Sequence, residues 1–172
     1  NGTGNTTMLP IETTNGFNSG GNRDVNEATA KYGVLETIIY PTGGTTTIEY
    51  ESNNYFDGVA NKKIGGLRVK KVKDASHDLP QVVTTYEYGL ECNPTRSSGT
   101  NLFNPIYSYP HYWENINMDS GQLFDCDCMA QTSRPISDIG LGNSGGISYY
   151  NVTVKKGENN EGGKSVYTYG GN

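Results

Sequence analysis

The chain has 172 residues, a formal net charge of -5 and a mean hydropathy of -0.63. This length suits one domain or a segment of a longer protein, and the missing basic surplus argues against nucleic-acid binding driven by phosphate neutralisation. No run approaches the ~20 apolar residues of a membrane-spanning helix. The 13 tyrosines and 23 glycines favour β structure with many tight turns over helical bundles.

An irregular lead-in and one short helix come first. Residues 1–23 are rich in Asn, Gly and Thr and carry few apolar side chains, which is typical of irregular chain. From Asp24 to Tyr32 the sequence predicts a helix of about two turns, with Asp24 as N-cap, Glu27 as in a capping box and Gly33 at the C′ position. We expect residues 24–172 to form a single β-rich domain.

The chain then enters a predicted β-hairpin, Val34 to Glu51, around which the rest is organised. Two runs rich in Ile, Thr and Tyr flank a turn at residues 41–44, Pro-Thr-Gly-Gly. These residue types fit a half-buried pleated surface, and Pro followed by Gly favours a reversal. Ile48 and Tyr50 share one face of the second strand, so we expect that face to be buried.

The same hairpin pattern recurs at Gly65 to Gly89 and, more loosely, at Gly146 to Gly170. Each copy closes on a hydrophobic-Xaa-Tyr signature, and recurring units of this size indicate a repeated supersecondary element. The signatures are Ile48-Glu49-Tyr50, Tyr86-Glu87-Tyr88 and Tyr167-Thr168-Tyr169. We therefore predict an all-β fold, with antiparallel hairpins forming one sheet or a two-layer sandwich and one short helix near residues 24–32.

Polar segments separate the predicted strands of the second hairpin from their neighbours. Residues 52–64 predict a loop, strands are predicted at Leu67 to Val72 and Gln81 to Tyr88, and residues 73–80 predict the loop between them. The first of these strands carries a basic cluster, which we interpret as a solvated sheet edge that deters unwanted strand pairing. The cluster comprises Arg68, Lys70, Lys71 and Lys73.

Residues 90–146 have the weakest periodicity, and we expect a long irregular excursion there, with some strand content near Leu102 to Tyr109. It contains an aromatic cluster with His111 among its members: Tyr107, Tyr109, Tyr112 and Trp113. Flat aromatic faces can stack on sugar rings, which makes these four residues candidate ligand-binding residues of a carbohydrate-binding module. The alternative interpretation is that the rings cover the sheet as a lid on its core.

Three cysteines, Cys92, Cys126 and Cys128, do not make a disulfide framework because their number is odd. The tetrapeptide at residues 125–128, Asp-Cys-Asp-Cys, could hold a metal together with Cys92, His77 or His111. Zinc sites more often show C-x₂-C spacing, so we predict no metal site. The alternatives are reduced thiols, or a bridge from Cys92 to one of the other two.

No catalytic constellation stands out, so we predict no catalytic residues, no cofactor and no enzyme activity. Glu49 and Glu87 occupy equivalent hairpin positions and could face each other, but exposed strand positions explain them more simply. His77 and His111 lack a supporting context, and a G-x-S-x-G elbow is absent.

The run YGVLETIIYPTGGTTTIEYE, followed by GGLRVKKVKD and VTTYEYG, resembles the Rhs/YD-repeat proteins of bacteria. The YPTGG core with GGLR about twenty residues later carries the resemblance, and YYNVTV and KSVYTY near the end also match. The resemblance covers residues 31–89 well and 146–169 moderately. Where the family has Asp after Tyr, this chain has Glu51, Gly89 and Gly170, so a capping or flanking β domain is as good an interpretation as the repeat core.

The resemblance implies a hairpin-rich segment of a very large extracellular or cell-surface protein, in which such hairpins stack into a long sheet. On that basis we expect a non-catalytic structural module whose partners are other β segments of the same parent chain. The carbohydrate-binding module, with a glycan as partner, is the alternative. Neither interpretation involves nucleic acid or a membrane span in this segment.

Overall fold

The computed structural model describes residues 9–18, 20–77, 79–102, 104–116, 120–136 and 146–170. Strands make up 58% of the described residues and helix 5%, so the predicted all-β class is confirmed. The chain divides into two compact units, which we call the sheet unit (residues 25–102 and 141–172) and the ribbon unit (residues 1–24 and 103–140). The lead-in and part of the excursion thus belong to one unit, which differs from the predicted single domain over 24–172.

Within the described residues a 3₁₀ turn at Thr13–Asn15 precedes helix α1 (Glu27–Ala30), and twelve strands follow in chain order. The strands are β1 (Thr37–Ile39), β2 (Thr45–Phe56), β3 (Asn61–Ser76), β4 (Leu79–Glu87), β5 (Gly89–Leu90), β6 (Asn93–Ser97), β7 (Gly99–Asn101), β8 (Ser108–Ile116), β9 (Leu123–Gln131), β10 (Ile147–Tyr149), β11 (Asn151–Lys156) and β12 (Lys164–Thr168).

Six strands of the sheet unit form one antiparallel sheet in the order β1-β2-β3-β4-β11-β12. The three predicted hairpins are confirmed as β1/β2, β3/β4 and β11/β12, and they lie side by side in this sheet. Short pairs, β5 with β6 and β7 with β10, accompany it. The recurring sequence pattern therefore corresponds to neighbouring hairpins of one sheet.

The first hairpin turns where the Pro-Thr-Gly-Gly stretch predicts. The N–H of Gly43 donates to the carbonyl of Tyr40 at 2.9 Å, and the N–H of Tyr40 donates to the carbonyl of Gly44 at 2.9 Å. Its first strand is shorter than predicted, since β1 covers three residues. The Tyr50 hydroxyl donates to the carbonyl of Leu35 at 3.0 Å, which holds the preceding segment against β2.

The predicted loop over 52–64 is wrong for most of its length, because β2 runs to Phe56 and β3 starts at Asn61. The turn between them is short: the Asp57 carboxylate accepts from the N–H groups of Val59 and Ala60, each at 2.8 Å. An Asp side chain that bonds backbone two and three residues on is a common turn device. The loop predicted over 73–80 is likewise mostly strand.

Two β-bulges explain why the strand pattern of this region is hard to recognise. Pairing between β2 and β3 shifts after Glu49 and again between Ser52 and Asn54. A bulge adds an unpaired residue and interrupts the period-two alternation of side chains. At the second bulge Gly66 has φ +90°, and a Cβ there would lie 2.8 Å from Asn53 Nδ2, so the second glycine of the GGLR motif is required by backbone geometry.

Helix α1 is shorter than the predicted 24–32, and its N-cap is Asn26 instead of Asp24. The Asn26 side chain accepts from the N–H of Thr29 at 3.1 Å. The N–H of Asp24 donates to the Asn22 side chain at 2.6 Å, so Asp24 belongs to a preceding turn. Two residues suited to capping, Asp24 and Asn26, compete here, and the one nearer the helix prevails.

The prediction of an irregular excursion over 90–146 is wrong for much of its length, because β5 to β9 lie within it. In the ribbon unit β8 and β9 pair over nine positions, from Ser108 opposite Gln131 to Ile116 opposite Leu123. Most described side chains of this ribbon are exposed. A ribbon without a buried face has no apolar alternation, so the sequence pattern does not reveal its strands.

The core of the sheet unit is small and largely polar. Among the described residues Val83 (2% exposed) and Ile147 (6%) are its buried hydrophobic side chains. Buried polar residues outnumber them: Ser52, Asn53, Ser97, Ser98 and Asn151. No helix of the described chain has the length and apolar content needed to span a membrane.

We expect Val83→Ala to lower the free energy of unfolding of the sheet unit by about 1–3 kcal/mol, because it removes two buried methyl groups from a small core. Val82, its neighbour in β4, is 56% exposed, and Val82→Ala should cost no more than about 0.5 kcal/mol. Urea unfolding followed by circular dichroism measures both. Equal losses for the two variants would contradict this assignment of the core.

Candidate functional site

The centre of the sheet unit is a largely buried arginine, Arg68, whose side chain is 11% exposed. Its Nε donates to Glu51 Oε1 at 2.7 Å, and Nη2 lies 2.5 Å from the same oxygen. Its Nη1 donates to Asn54 Oδ1 and to the Tyr149 hydroxyl, each at 2.9 Å. One guanidinium thus joins β2, β3 and β10, and charge-assisted bonds of this kind are among the strongest in proteins. We call this group of residues, together with Tyr88, the arginine clamp.

Two tyrosine rings enclose the guanidinium of the clamp. Its carbon atom lies 4.3 Å from the ring centroid of Tyr88 and 5.1 Å from that of Tyr149. The two rings are themselves 4.8 Å apart, centroid to centroid. Desolvated cation–π contacts stabilise by about 2 kcal/mol, so the rings supply part of what water would give an exposed Arg.

The hydroxyls of the two tyrosines are bonded in turn. The Tyr149 hydroxyl donates to Asn53 Oδ1 at 3.0 Å and accepts from the N–H of Asn54 at 3.2 Å. The Tyr88 hydroxyl donates to the carbonyl of Val69 at 2.7 Å. Gly99 must be glycine, because a Cβ there would lie 2.4 Å from the Asn54 carbonyl oxygen and 2.9 Å from the Tyr149 ring.

Two buried serines attach the segment before β7 to this centre. The Ser97 hydroxyl donates to the Asn54 carbonyl at 2.9 Å. The Ser98 Oγ lies 2.8 Å from the carbonyl oxygens of both Tyr88 and Asn151. The hydroxyls of Ser97 and Ser98 therefore both have the partners that buried polar groups require.

The arginine clamp forms part of the wall of an open cleft of about 520 Å³. Polar residues of its lining include Glu51, Asn61, Lys70, Glu87, Thr95 and Lys155. The carboxylate of Glu87 bonds Lys155 Nζ at 2.6 Å, so both charges are paired with each other. The Glu51–Arg68 and Glu87–Lys155 pairs therefore give this cleft hydrogen-bonding groups whose charges compensate each other.

The two carboxylates considered for glycoside hydrolysis are ion-paired in the sheet. Glu49 bonds Lys73 Nζ at 2.6 Å, and this bond lowers the pKa of Glu49 below its usual value. A general acid of glycoside hydrolysis needs the opposite, a raised pKa. Glu49 therefore fits the exposed structural role expected from the sequence.

The sequence predicts that the basic cluster lies on a sheet edge, and the structure shows that this prediction is wrong. β3, which carries the cluster, is the third of six strands. Arg68 is buried in the clamp, Lys73 pairs with Glu49, and Lys71 Nζ lies 3.9 Å from Glu158. Carboxylates on neighbouring strands and loops compensate the charges, and this long-range pairing cannot be read from the local sequence.

The ribbon unit holds the four aromatic residues predicted to bind sugar, and the strand alternation separates them. Tyr109 and Trp113 share one face of β8 with His111, opposite Ala130, Cys126 and Cys128 of β9. Tyr112 lies on the other face, opposite Asp127. Tyr107 precedes β8, and its N–H donates to the Glu12 carboxylate at 3.1 Å.

The aromatic side chains of the ribbon are open to solvent. Trp113 is 49% exposed and Tyr109 is 41% exposed, and the Tyr109 and His111 rings meet edge to face at 6.1 Å. The structure thus brings Tyr109, His111 and Trp113 together on one accessible face, which we call the aromatic face.

The same face of the ribbon carries a disulfide between Cys126 and Cys128. Cys92 is free and exposed, so the proposed bridge from Cys92 is wrong. Both thiols of the Asp-Cys-Asp-Cys stretch are consumed by this bond. Within the part of the chain that the structure describes, no group of three or more His, Cys, Asp or Glu side chains is placed to hold a metal.

Sequence reasoning did not find the arginine clamp. Its members lie on β2, β3, β10 and the residue after β4, far apart in the chain. The available signal is the pair Gly65-Gly66 shortly before Arg68, because glycines in a strand often mark a close approach of another part of the chain. That signal indicates a crowded site without naming its partners.

Burial raises the pKa of Tyr88 to about 12, and the nearby Arg68 charge opposes this rise. Since the ordinary value is 10.0, the folded chain keeps the phenol proton where the unfolded chain loses it. The stabilisation is complete below pH 10 and is lost as the pH rises towards 12. We expect urea unfolding to show falling stability over this range, with a shallower fall in Tyr88→Phe. Equal slopes would contradict the assignment.

No family model, no curated protein and no solved structure matches the chain.

Proposed function

We propose that this chain is a non-catalytic structural module of a bacterial secreted or cell-surface protein of the Rhs/YD-repeat type. It acts by pairing its sheet with neighbouring β segments of the same parent chain. The observation that supports this best is the arrangement of three hairpins side by side in one sheet, ending at an open edge strand, β12. Among the described residues no strand pairs with the outer side of β12.

The hydrogen-bond pattern identifies the outward groups of β12. The N–H of Lys156 bonds Gly163 at 3.0 Å, and the N–H of Tyr169 bonds Tyr150 at 2.8 Å. Because bonded and non-bonded pairs alternate in an antiparallel ladder, Ser165 and Tyr167 direct their backbone groups towards β11. The outward groups are those of Lys164, Val166 and Thr168, and they offer a template for another strand.

Ion pairs between adjacent strands suit a module that is held together without a large core. Three pairs link neighbouring strands of the sheet: Glu49 with Lys73, Glu51 with Arg68, and Glu87 with Lys155. Cross-strand pairs of opposite charge contribute about 0.2–1 kcal/mol each. These ion pairs keep the faces of the sheet polar. The faces can therefore remain in contact with water while the edge strand pairs with another strand.

The disulfide of the ribbon unit supports a location outside the cytoplasm. Disulfides persist in secreted, periplasmic and surface proteins and are rare in reducing compartments. The Cys126–Cys128 bond therefore agrees with the proposal of an extracellular or cell-surface parent protein.

Hydrogen exchange tests the open edge. In the isolated chain, the amides of Lys164, Val166 and Thr168 should exchange at least about tenfold faster than those of Ser165 and Tyr167. A peptide that copies residues 34–51, a hairpin of the kind expected next to β12, should protect the outward amides and leave the inward ones unchanged. Nuclear magnetic resonance of the labelled chain measures both.

The matched controls for this experiment are two proline variants. Val166→Pro removes an outward N–H, so it should keep the fold and abolish peptide binding. Tyr167→Pro removes an inward N–H and should unpair β12 from β11. Peptide binding that survives Val166→Pro, or protection confined to other parts of the chain, would sink the edge-pairing proposal.

A carbohydrate-binding role for the ribbon unit is a second candidate, and the exposed aromatic face favours it. Tyr109 and Trp113 lie on that face two positions either side of His111 and are both accessible. Rings presented in this way can stack on the apolar face of a sugar, with the polar strand residues near them available to bond hydroxyl groups. This role is compatible with a structural module, because it uses a different unit of the chain.

The aromatic face predicts which variants lose glycan binding. Against a panel of plant and host polysaccharides, Trp113→Ala and Tyr109→Ala should each weaken binding about tenfold, equivalent to ~1.4 kcal/mol. Tyr112→Ala is the matched control on the opposite face and should bind normally. Calorimetry with the responsive polysaccharide measures all three, and an equal loss in Tyr112→Ala would argue against the aromatic face as the site.

A further inference from the structure

The disulfide of the ribbon joins two residues of one strand. Cys126 and Cys128 are separated by two positions of β9, and their Cα atoms lie 5.5 Å apart. Two residues of a regular strand span roughly 6.6 Å, so β9 is locally contracted at this bond. Both side chains lie on the aromatic face, opposite Trp113 and His111.

This bond has little to contribute to stability. A disulfide stabilises mainly by closing a loop of the unfolded chain, and the benefit grows with loop length. Here the loop is very short, since a single residue, Asp127, separates the two cysteines. The bond also connects no two elements, because β8 and β9 are already paired along nine positions.

The bond is accessible to an attacking thiol. Cys126 is exposed and Cys128 is half-buried. Exposed disulfides are the ones that exchange readily and serve regulatory or catalytic roles. The Cys126 sulfur is therefore the point of attack, and Cys128 is the leaving group.

The ribbon also has a distinctive charge. Glu114 lies directly opposite Asp125, and Asp127 shares their face, which is the reverse face of the ribbon from the disulfide; all three carboxylates are exposed. Asp125 and Asp127 are the chain neighbours of Cys126, well within the ~10 Å over which charges act at 0.1 M salt. Neither β8 nor β9 contains a Lys or Arg. A field of this sign attracts cationic molecules and repels anionic ones such as glutathione.

We propose that Cys126–Cys128 is a thiol–disulfide exchange site that oxidises dithiols in cationic polypeptides. The substrate's first thiolate attacks Cys126, which forms a mixed disulfide and releases Cys128 as a thiolate that takes a proton from solvent. The second substrate thiolate attacks its own first sulfur and displaces Cys126 as a thiolate, which is likewise protonated. The substrate loses two electrons and two protons and gains an intramolecular disulfide, and the protein gains two thiols.

The experiment uses the full chain with Cys92→Ser, which removes the free exposed thiol as a source of side reactions. Two synthetic dithiol peptides serve as probes, one rich in Lys and one rich in Glu, with the same Cys-Xaa-Xaa-Cys segment. Trp113 is the single Trp of the chain and lies opposite Cys126, so its fluorescence should rise when the quenching disulfide is reduced. Mass spectrometry counts the oxidised peptide.

We expect one peptide disulfide for each Cys126–Cys128 bond reduced. At low salt the Lys-rich peptide should be oxidised at least about tenfold faster than the Glu-rich peptide, and we call this quotient the rate ratio. High salt should narrow this ratio, because it screens the carboxylates. Asp125→Asn with Asp127→Asn keeps the disulfide and should narrow the ratio too. Cys126→Ser should abolish oxidation of both peptides.

Three results would overturn the proposal. The first is two stable free thiols at Cys126 and Cys128 in the protein as purified. The second is a bond that neither peptide reduces within hours, although dithiothreitol does. The third is peptide oxidation that persists in Cys126→Ser. The double variant Asp125→Asn with Asp127→Asn keeps the disulfide. The ratio of its rates with the Lys-rich and Glu-rich peptides therefore tests the charge preference without disturbing the bond.

Discussion

The sheet unit depends on one buried charge. With Val83 and Ile147 as its buried hydrophobic side chains among the described residues, apolar burial stabilises it little. Arg68 instead links Glu51, Asn54 and Tyr149 and lies against the Tyr88 ring. A guanidinium removed from water is stabilising only when all its partners are in place, so the elements that supply them must fold together. The clamp therefore couples parts of the chain that are distant in sequence.

This dependence on polar contacts agrees with both proposed roles. A sheet whose faces are covered by ion pairs can remain in water without aggregating through its faces, and its edge is then the place where strands add. The ribbon unit is different. Its exposed aromatic rings and its disulfide are groups that can contact or react with a ligand, and most of the described side chains on its strands are exposed. The two proposed roles, strand pairing and ligand contact, thus use different units of one chain.

The sequence predicts what is local and fails where the cause is distant. The three hairpins follow from strand propensity and from turn residues such as those at 41–44, and the structure has them. The strand over 52–56 was missed because bulges interrupt its alternation, and β8 and β9 were missed because neither face of their ribbon is buried. The clamp and the partners of the lysines on β3 require the strand order, which no local pattern encodes. The aromatic cluster is visible in the sequence. That Tyr109 and Trp113 lie on one face of the ribbon and Tyr112 on the other follows only once the bounds of β8 are known.

The bulges between β2 and β3 have a consequence for strand register. A slip by two residues keeps every side chain on its own face, so a strand rich in Thr, Lys and Glu can slide without exposing a core. Here such a slide would move Gly66 away from Asn53 and place a side chain where that close contact leaves no room. It would also separate Arg68 from Glu51. The irregular positions therefore act as a lock that selects one alignment of two otherwise permissive strands.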